Sequence, residues 1–222
     1  GTFRDVIRTA LPHIPWLSMG SDFSDVNGDG RMDFLATDMA ARTHYEQKAS
    51  MGNMAKDRWF LTGSNPRQMM RNALYLNTGT ERFQEAAFLT GLAQTDWTWS
   101  PKFGDLDNDG REDLFVTNGM SRAFMNSDLA NKMPSNWRSE AWADTPVLRQ
   151  KNLAFRNVSE FNFQSYGEAW GLDQLAASYG GALGDLDQDG DLDLVVMNFD
   201  APVSVLRNDV SDANASVIAL QG

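Results

Sequence analysis

The stretch FGDLDNDGREDLFVTNGM, residues 103–120, puts Asp at alternate positions, turns on a glycine and runs straight into an apolar segment. It returns as FSDVNGDGRMDFLATDM at residues 23–39 and as LGDLDQDGDLDLVVMNF at residues 183–199. Asp25, Asp105 and Asp185 stand 80 residues apart, and so do Gly30, Gly110 and Gly190. The register reaches well outside the loops. Phe3, Phe83 and Phe163 align, Asn72 and Asn77 fall on Asn152 and Asn157, and Gly91-Leu92 falls on Gly171-Leu172. A fixed period of this length identifies a repeat architecture before any single element is assigned.

Within each period the apolar residues come in short runs bounded by polar ones, which is the pattern of strands. NALYLN and NLAFRN are such runs, FQEAA and FNFQSY follow them, and WSPKFGDLD and YGGALGDLD lead into the acidic loops. DFLATDM, DLFVTNG and DLVVMNF leave the loops, rich in β-forming residues. The expectation is an all-β chain of β-propeller blades: about three four-stranded antiparallel units that form part of a larger ring. The units fall at 1–39 (incomplete), 71–120 and 151–200, with partly helical insertions at 40–70 and 121–150. Residues 201–222 start a further blade or a downstream domain, with VSVLRND as the opening strand.

Composition narrows the function classes. The formal charge of −11 argues against a nucleic-acid backbone as partner. Twelve aspartates lie in the three loops, so the acidity is local, and three divalent cations would bring −11 to −5. The absence of cysteine excludes disulfides and thiolate metal sites. No apolar run is long enough for a membrane span. The segment GTFRDVIRTA lacks the charged-then-apolar order of a signal peptide and reads as part of a mature or excised chain.

The loops DVNGDGRMD, DLDNDGRED and DLDQDGDLD suit calcium, a hard cation that takes six to eight oxygen ligands at about 2.3–2.6 Å. Alternate acids converge on one point, and a glycine at the sixth position permits the turn. The expected ligands of the first loop are the side chains of Asp25, Asn27, Asp29 and Asp33 with the carbonyl of Arg31. Those of the second are Asp105, Asp107, Asp109 and Asp113 with the carbonyl of Arg111, and those of the third are Asp185, Asp187, Asp189 and Asp193 with the carbonyl of Asp191. Asn27 stands where the other loops have a carboxylate, so the first site should be the weakest. An EF-hand would need a glutamate at the twelfth position, where Ala36, Val116 and Val196 stand, and helices in place of the flanking strands. Three crowded acid loops without cations would each bear repulsion, which counts against reading them as plain solvated turns.

These three units resemble FG-GAP/VCBS repeats, the calcium-loop blades of integrin-α-like β-propellers. With the intervening NALYLN…FQEAAFLTGLAQTDWTWS, the chain is similar to large secreted bacterial proteins in which such repeats precede an ASPIC/UnbV domain. The resemblance implies structural calcium, export to the cell surface or beyond, and a role in adhesion. Ser24, where Gly104 and Gly184 stand in the other units, is a departure in the first loop.

Catalysis is not expected, since the only two histidines, His13 and His44, stand at unmatched positions of the repeat. Trp97 and Trp99 before the second loop are the candidates for ligand binding, a glycan above all, against the plainer reading that they fill the space between sheets. Trp59, Trp137 and Trp142, with Met51, Met54, Met69 and Met70, offer either a surface for a protein partner or staples that hold the insertions down. Asn157-Val-Ser159 and Asn214-Ala-Ser216 match the glycosylation sequon. Two further expectations are a lectin-like module and a self-assembling unit whose open blade edges pair between chains.

Overall fold

In the computed structural model, residues 1–51, 63–123, 126 and 145–210 are described. The chain is mostly β, with 42% strand against 8% helix, so helices only decorate the sheets. Three antiparallel sheets carry the architecture. The first orders Gly20–Ser24, Asp33–Thr37, Ala73–Asn77 and Phe83–Glu85. The second orders Asp96–Gly104, Asp113–Asn118, Leu153–Ser159 and Asn162–Ser165, with Met39–Ala40 added beside Asp96–Gly104. The third holds Ser178–Gly184, Asp193–Asn198 and Ser204–Leu206.

Four consecutive strands are therefore present in each of the first two sheets and three in the third among the described residues, but their phase differs from the divisions expected along the chain. Ala73–Asn77 pairs with Asp33–Thr37, with Phe34 opposite Tyr75, so NALYLN is the third strand of the first sheet and does not open the second. Leu153–Ser159 joins Asp113–Asn118 in the same way, with Phe155 opposite Leu114. VSVLRND likewise supplies the third strand of the third sheet, with Val205 opposite Val195, where a fourth unit was expected. Both insertions thus lie inside a sheet, between its second and third strands. The physical reason is a buried aspartate at the end of each loop, which bonds to the incoming third strand as described below.

The helix His44–Met51 falls in the first insertion, as its partly helical character predicted. Trp59, Met54, Trp137, Trp142 and the Asn214 sequon lie outside the described residues, and so do residues 211–222 of the segment read as the start of a further blade or a downstream domain. No helix among the described residues is long and apolar enough to cross a membrane.

Alternation along the strands sends successive residues to opposite faces. Leu35 and Leu74 of the first sheet pack with Phe103, Leu114, Val116 and Phe155 of the second in one apolar cluster. Phe115 and Ala154 on the other face of the second sheet pack with Leu194 and Val196 of the third. The strands that precede the loops lie side by side across the sheets. Gly20 comes so close to the second sheet that a Cβ there would stand 2.2 Å from the Trp99 carbonyl. The middle sheet is covered on both faces, whereas Phe23 on the first and Val205 on the third are 60% and 64% exposed. Among the described residues the three sheets form an open row without ring closure.

Candidate metal centres

Each loop joins the first and second strands of a sheet, and its backbone is shaped alike in all three copies. The fourth and sixth positions are both left-handed: Gly28 and Gly30 at φ 71° and 81°, Asn108 and Gly110 at 55° and 86°, Gln188 and Gly190 at 66° and 98°. Glycine adopts this region freely and asparagine tolerates it, but glutamine is strained there. The first-position aspartates hold the turn. Asp25 accepts the N–H groups of Asp29 and Gly30, and Asp105 accepts those of Asp109 and Gly110. Asp185 accepts those of Gln188 and Gly190.

The ninth-position aspartates do a second job that spacing alone did not reveal. Asp33, Asp113 and Asp193 are 0%, 0% and 2% exposed. One oxygen of each accepts the N–H of the second loop residue: Val26, Leu106 or Leu186. The other accepts the N–H of an asparagine on the third strand or just past its end: Asn77 at 2.7 Å, Asn157 at 2.8 Å and Asn208 at 2.8 Å. These bonds bring the third strand onto the second and set the phase of the sheet. Both oxygens keep a lone pair, so the same carboxylate can still face a cation.

Carboxylate oxygens of Asp105, Asp107 and Asp109 lie within 4.8 Å of one another, and so do those of Asp185, Asp187 and Asp193. No such acid triad forms in the first loop among the described residues. There Asn27 turns its amide on Asp29, Nδ2 donating to Oδ2 at 3.0 Å. Asp107 Oδ1 is buried and has no hydrogen-bond partner, an acceptor left open inside a cluster of like charges. Burial pushes Asp113 up to about 7, helped by the charges of Asp107 and Asp109. Burial also raises Asp107, with the Asp109 charge next in weight, and burial raises Asp33. A divalent cation reverses this preference by favouring the ionised acids, and a set made wholly of hard oxygens fits calcium.

The seventh-position residues, expected to offer carbonyls, also use their side chains. Arg31 and Arg111 donate from Nε to the carbonyls of Asn77 and Asn157, both at 2.8 Å, and set their guanidiniums against Asp29 and Asp109. Asp191, 1% exposed, instead accepts from Asn108 Nδ2 at 2.6 Å, which ties the third loop to the second.

Trp97 and Trp99 take up packing positions. Trp97 is 3% exposed and sits with Met39, flanked by Met70, Met120 and Leu148. Trp99 donates from its indole to the Gly119 carbonyl at 2.6 Å and stacks 4.9 Å from Tyr179. Trp97 also edges a cavity of about 220 Å³, but its ring faces are covered. Asn157 of the first sequon is 1% exposed, which closes it to glycan attachment in the folded chain. His13 lies 2.8 Å from Arg71 Nη2, and both contact Glu85.

Residues 59–116 match an FG-GAP-like repeat. The match takes in the second loop, its flanking strands and the last two strands of the first sheet, and so runs across the sheet boundary. No curated protein matches the chain. The FG-GAP-like repeat and the acid triads together describe a β-rich repeat module with acidic clusters able to hold metal ions.

Proposed function

We propose that this chain is a calcium-stabilised propeller segment that acts outside the cell as a non-catalytic scaffold for adhesion or protein contact. The observation that carries the reading is the second loop, where three aspartates converge and Asp107 Oδ1 is buried without a partner. Calcium there and in the third loop neutralises the cluster and fixes the turn between the first two strands of a sheet. The first loop binds more weakly, because Asn27 brings no charge and its amide is engaged with Asp29. Extracellular calcium modules work at about 10⁻⁴–10⁻³ M, a range that suits export.

The open faces at the two ends support membership of a larger ring. Phe23 and Phe34 stand one period before Phe103 and Leu114, which are buried against the preceding sheet. Leu186, 58% exposed, stands one period after Leu106, which is buried against the following sheet. Each end therefore carries the apolar residues that a further blade of the same kind would cover.

Calorimetric titration with calcium tests the reading. Wild-type chain should take up calcium at millimolar concentrations or below, and Asp105→Asn and Asp185→Asn should each remove one site. Absence of binding at 10 millimolar calcium would overturn it.

A further inference from the structure

In each sheet one residue stands immediately before the asparagine that bonds the ninth-position aspartate. That residue is Leu76 in the first sheet, Arg156 in the second and Arg207 in the third. Arg156 is held on the loop acids. Its Nε lies against Asp107 Oδ2 as a charge contact without hydrogen-bond alignment, and its Nη2 donates to Asp109 Oδ2 at 2.9 Å. The Tyr166 ring backs the guanidinium at 5.7 Å. Arg207 reaches Asp187 only at 4.0 Å and pairs at 2.5 Å with Asp209.

The residue at this position follows the loop's own charge. Where the third loop position is neutral Asn27 it is Leu76, packed in the core between the first two sheets; where it is Asp107 or Asp187 it is arginine. The second loop thus sets four aspartates against two guanidiniums, those of Arg111 and Arg156. In the third loop four aspartates face one guanidinium that Asp209 draws away, and Asp191 adds a further buried acid.

We propose that Arg156 is a tethered counter-cation that competes with calcium for Asp107 and Asp109 and thereby sets the affinity of the second loop. This rests on the reading of that loop as a calcium site. Without calcium the guanidinium screens the carboxylates and keeps the loop folded. Calcium entry needs the same oxygens, so the guanidinium must swing out towards solvent, to which its side chain is already 30% exposed. The cost of that exchange falls on the second loop far more than on the third. The third loop is accordingly the tighter site.

The test is calcium titration by calorimetry on the full chain, with Asp105→Asn identifying the second-loop site, and thermal melting in EDTA and in calcium. Arg156→Leu, which installs the residue found at position 76, should lower the second-loop Kd on the order of tenfold, as expected for removing one nearby cation. Arg156→Lys keeps the charge and should stay within about threefold of wild type, and Arg207→Leu should move the third site by no more than about threefold. In EDTA the Arg156→Leu chain should melt below wild type, and calcium should raise its melting point by more than it raises that of wild type. That opposite pair of effects would not arise from a merely structural arginine. Unchanged or weaker calcium binding at the second loop of Arg156→Leu, with the site still present in wild type, overturns the role of Arg156 alone. Absence of the site in wild type overturns the calcium reading and this inference with it.

Discussion

The side-chain amide of Asn157 donates to the carbonyl of Val26 at 3.0 Å, from a position 131 residues further along the chain. The same nitrogen donates to the Glu112 carbonyl at 3.2 Å, and the backbone N–H of Asn157 donates to Asp113. One residue therefore clamps its own loop and reaches the loop of the preceding sheet. Asn208 repeats the arrangement, donating to Leu106 at 2.9 Å and Leu192 at 3.3 Å. The amide nitrogen of Asn77 donates within its own sheet, to the Met32 carbonyl, and no described sheet precedes it. Consecutive acidic loops are thus linked through asparagine, and each link joins two sheets.

Asn157→Ala removes two donors and leaves two carbonyls short of partners at a buried site. The expected loss is about 2–4 kcal/mol, on the basis of roughly 1–2 kcal/mol for each such bond. Asn77→Ala should cost about 1 kcal/mol or less, because its two side-chain bonds, to the Met32 carbonyl and from the Gly79 N–H, are both solvent-exposed and local to the first sheet. Urea denaturation of the two variants checks the difference, and equal losses would count against the clamp.

Gln188 holds a left-handed backbone that Gly28 and Asn108 adopt more easily at the matching position. Gln188→Gly should gain up to about 1 kcal/mol, the strain relief being partly offset by the freer unfolded chain. Gln188→Val should lose stability by about 1 kcal/mol or more, since a β-branched residue fits that region worst. Paired thermal melts decide the point; a stabilising Val would refute it.

His13 gives the chain a pH dependence apart from the loops. Burial lowers its pKa below 6.5, and the positive charge of Arg71 lowers it further, against the pull of Glu85. The unfolded chain therefore takes up the proton first as pH falls. Stability is complete above about pH 6.5 and declines as pH falls from there towards the lowered folded value. His13→Gln should remove this part of the slope below about pH 6.5 in denaturation curves. A slope retained in full would place its source elsewhere.

Much of this was legible in the residues themselves. The loops and their period could be read directly, because acids at alternate positions and a glycine at the sixth recur at one spacing in all three copies. The phase of the sheets could not. In an antiparallel array a strand such as Ala73–Asn77 has neighbours on both sides in sequence, and the deciding bond from Asn77 N–H to Asp33 links positions 44 residues apart. Left-handedness at the fourth position was written in Gly28 and Asn108 but hidden in Gln188, where geometry overrides preference. Arg156 was missed because its place shows only when Leu76, Arg156 and Arg207 are compared with Asn27, Asp107 and Asp187. Trp97 and Trp99 carry no mark in sequence that separates a binding ring from a packing one; the contacts of Trp97 with Met39 and of Trp99 with Gly119 and Tyr179 make that distinction.

The most direct test of the central claim, that calcium in these loops holds the sheets in shape, is the thermal melting of the full chain in excess calcium and in excess EDTA. The account predicts a single transition that moves up by several degrees or more in calcium, with the gain reduced in Asp105→Asn and in Asp185→Asn. Superimposable melting curves in calcium and EDTA would contradict it.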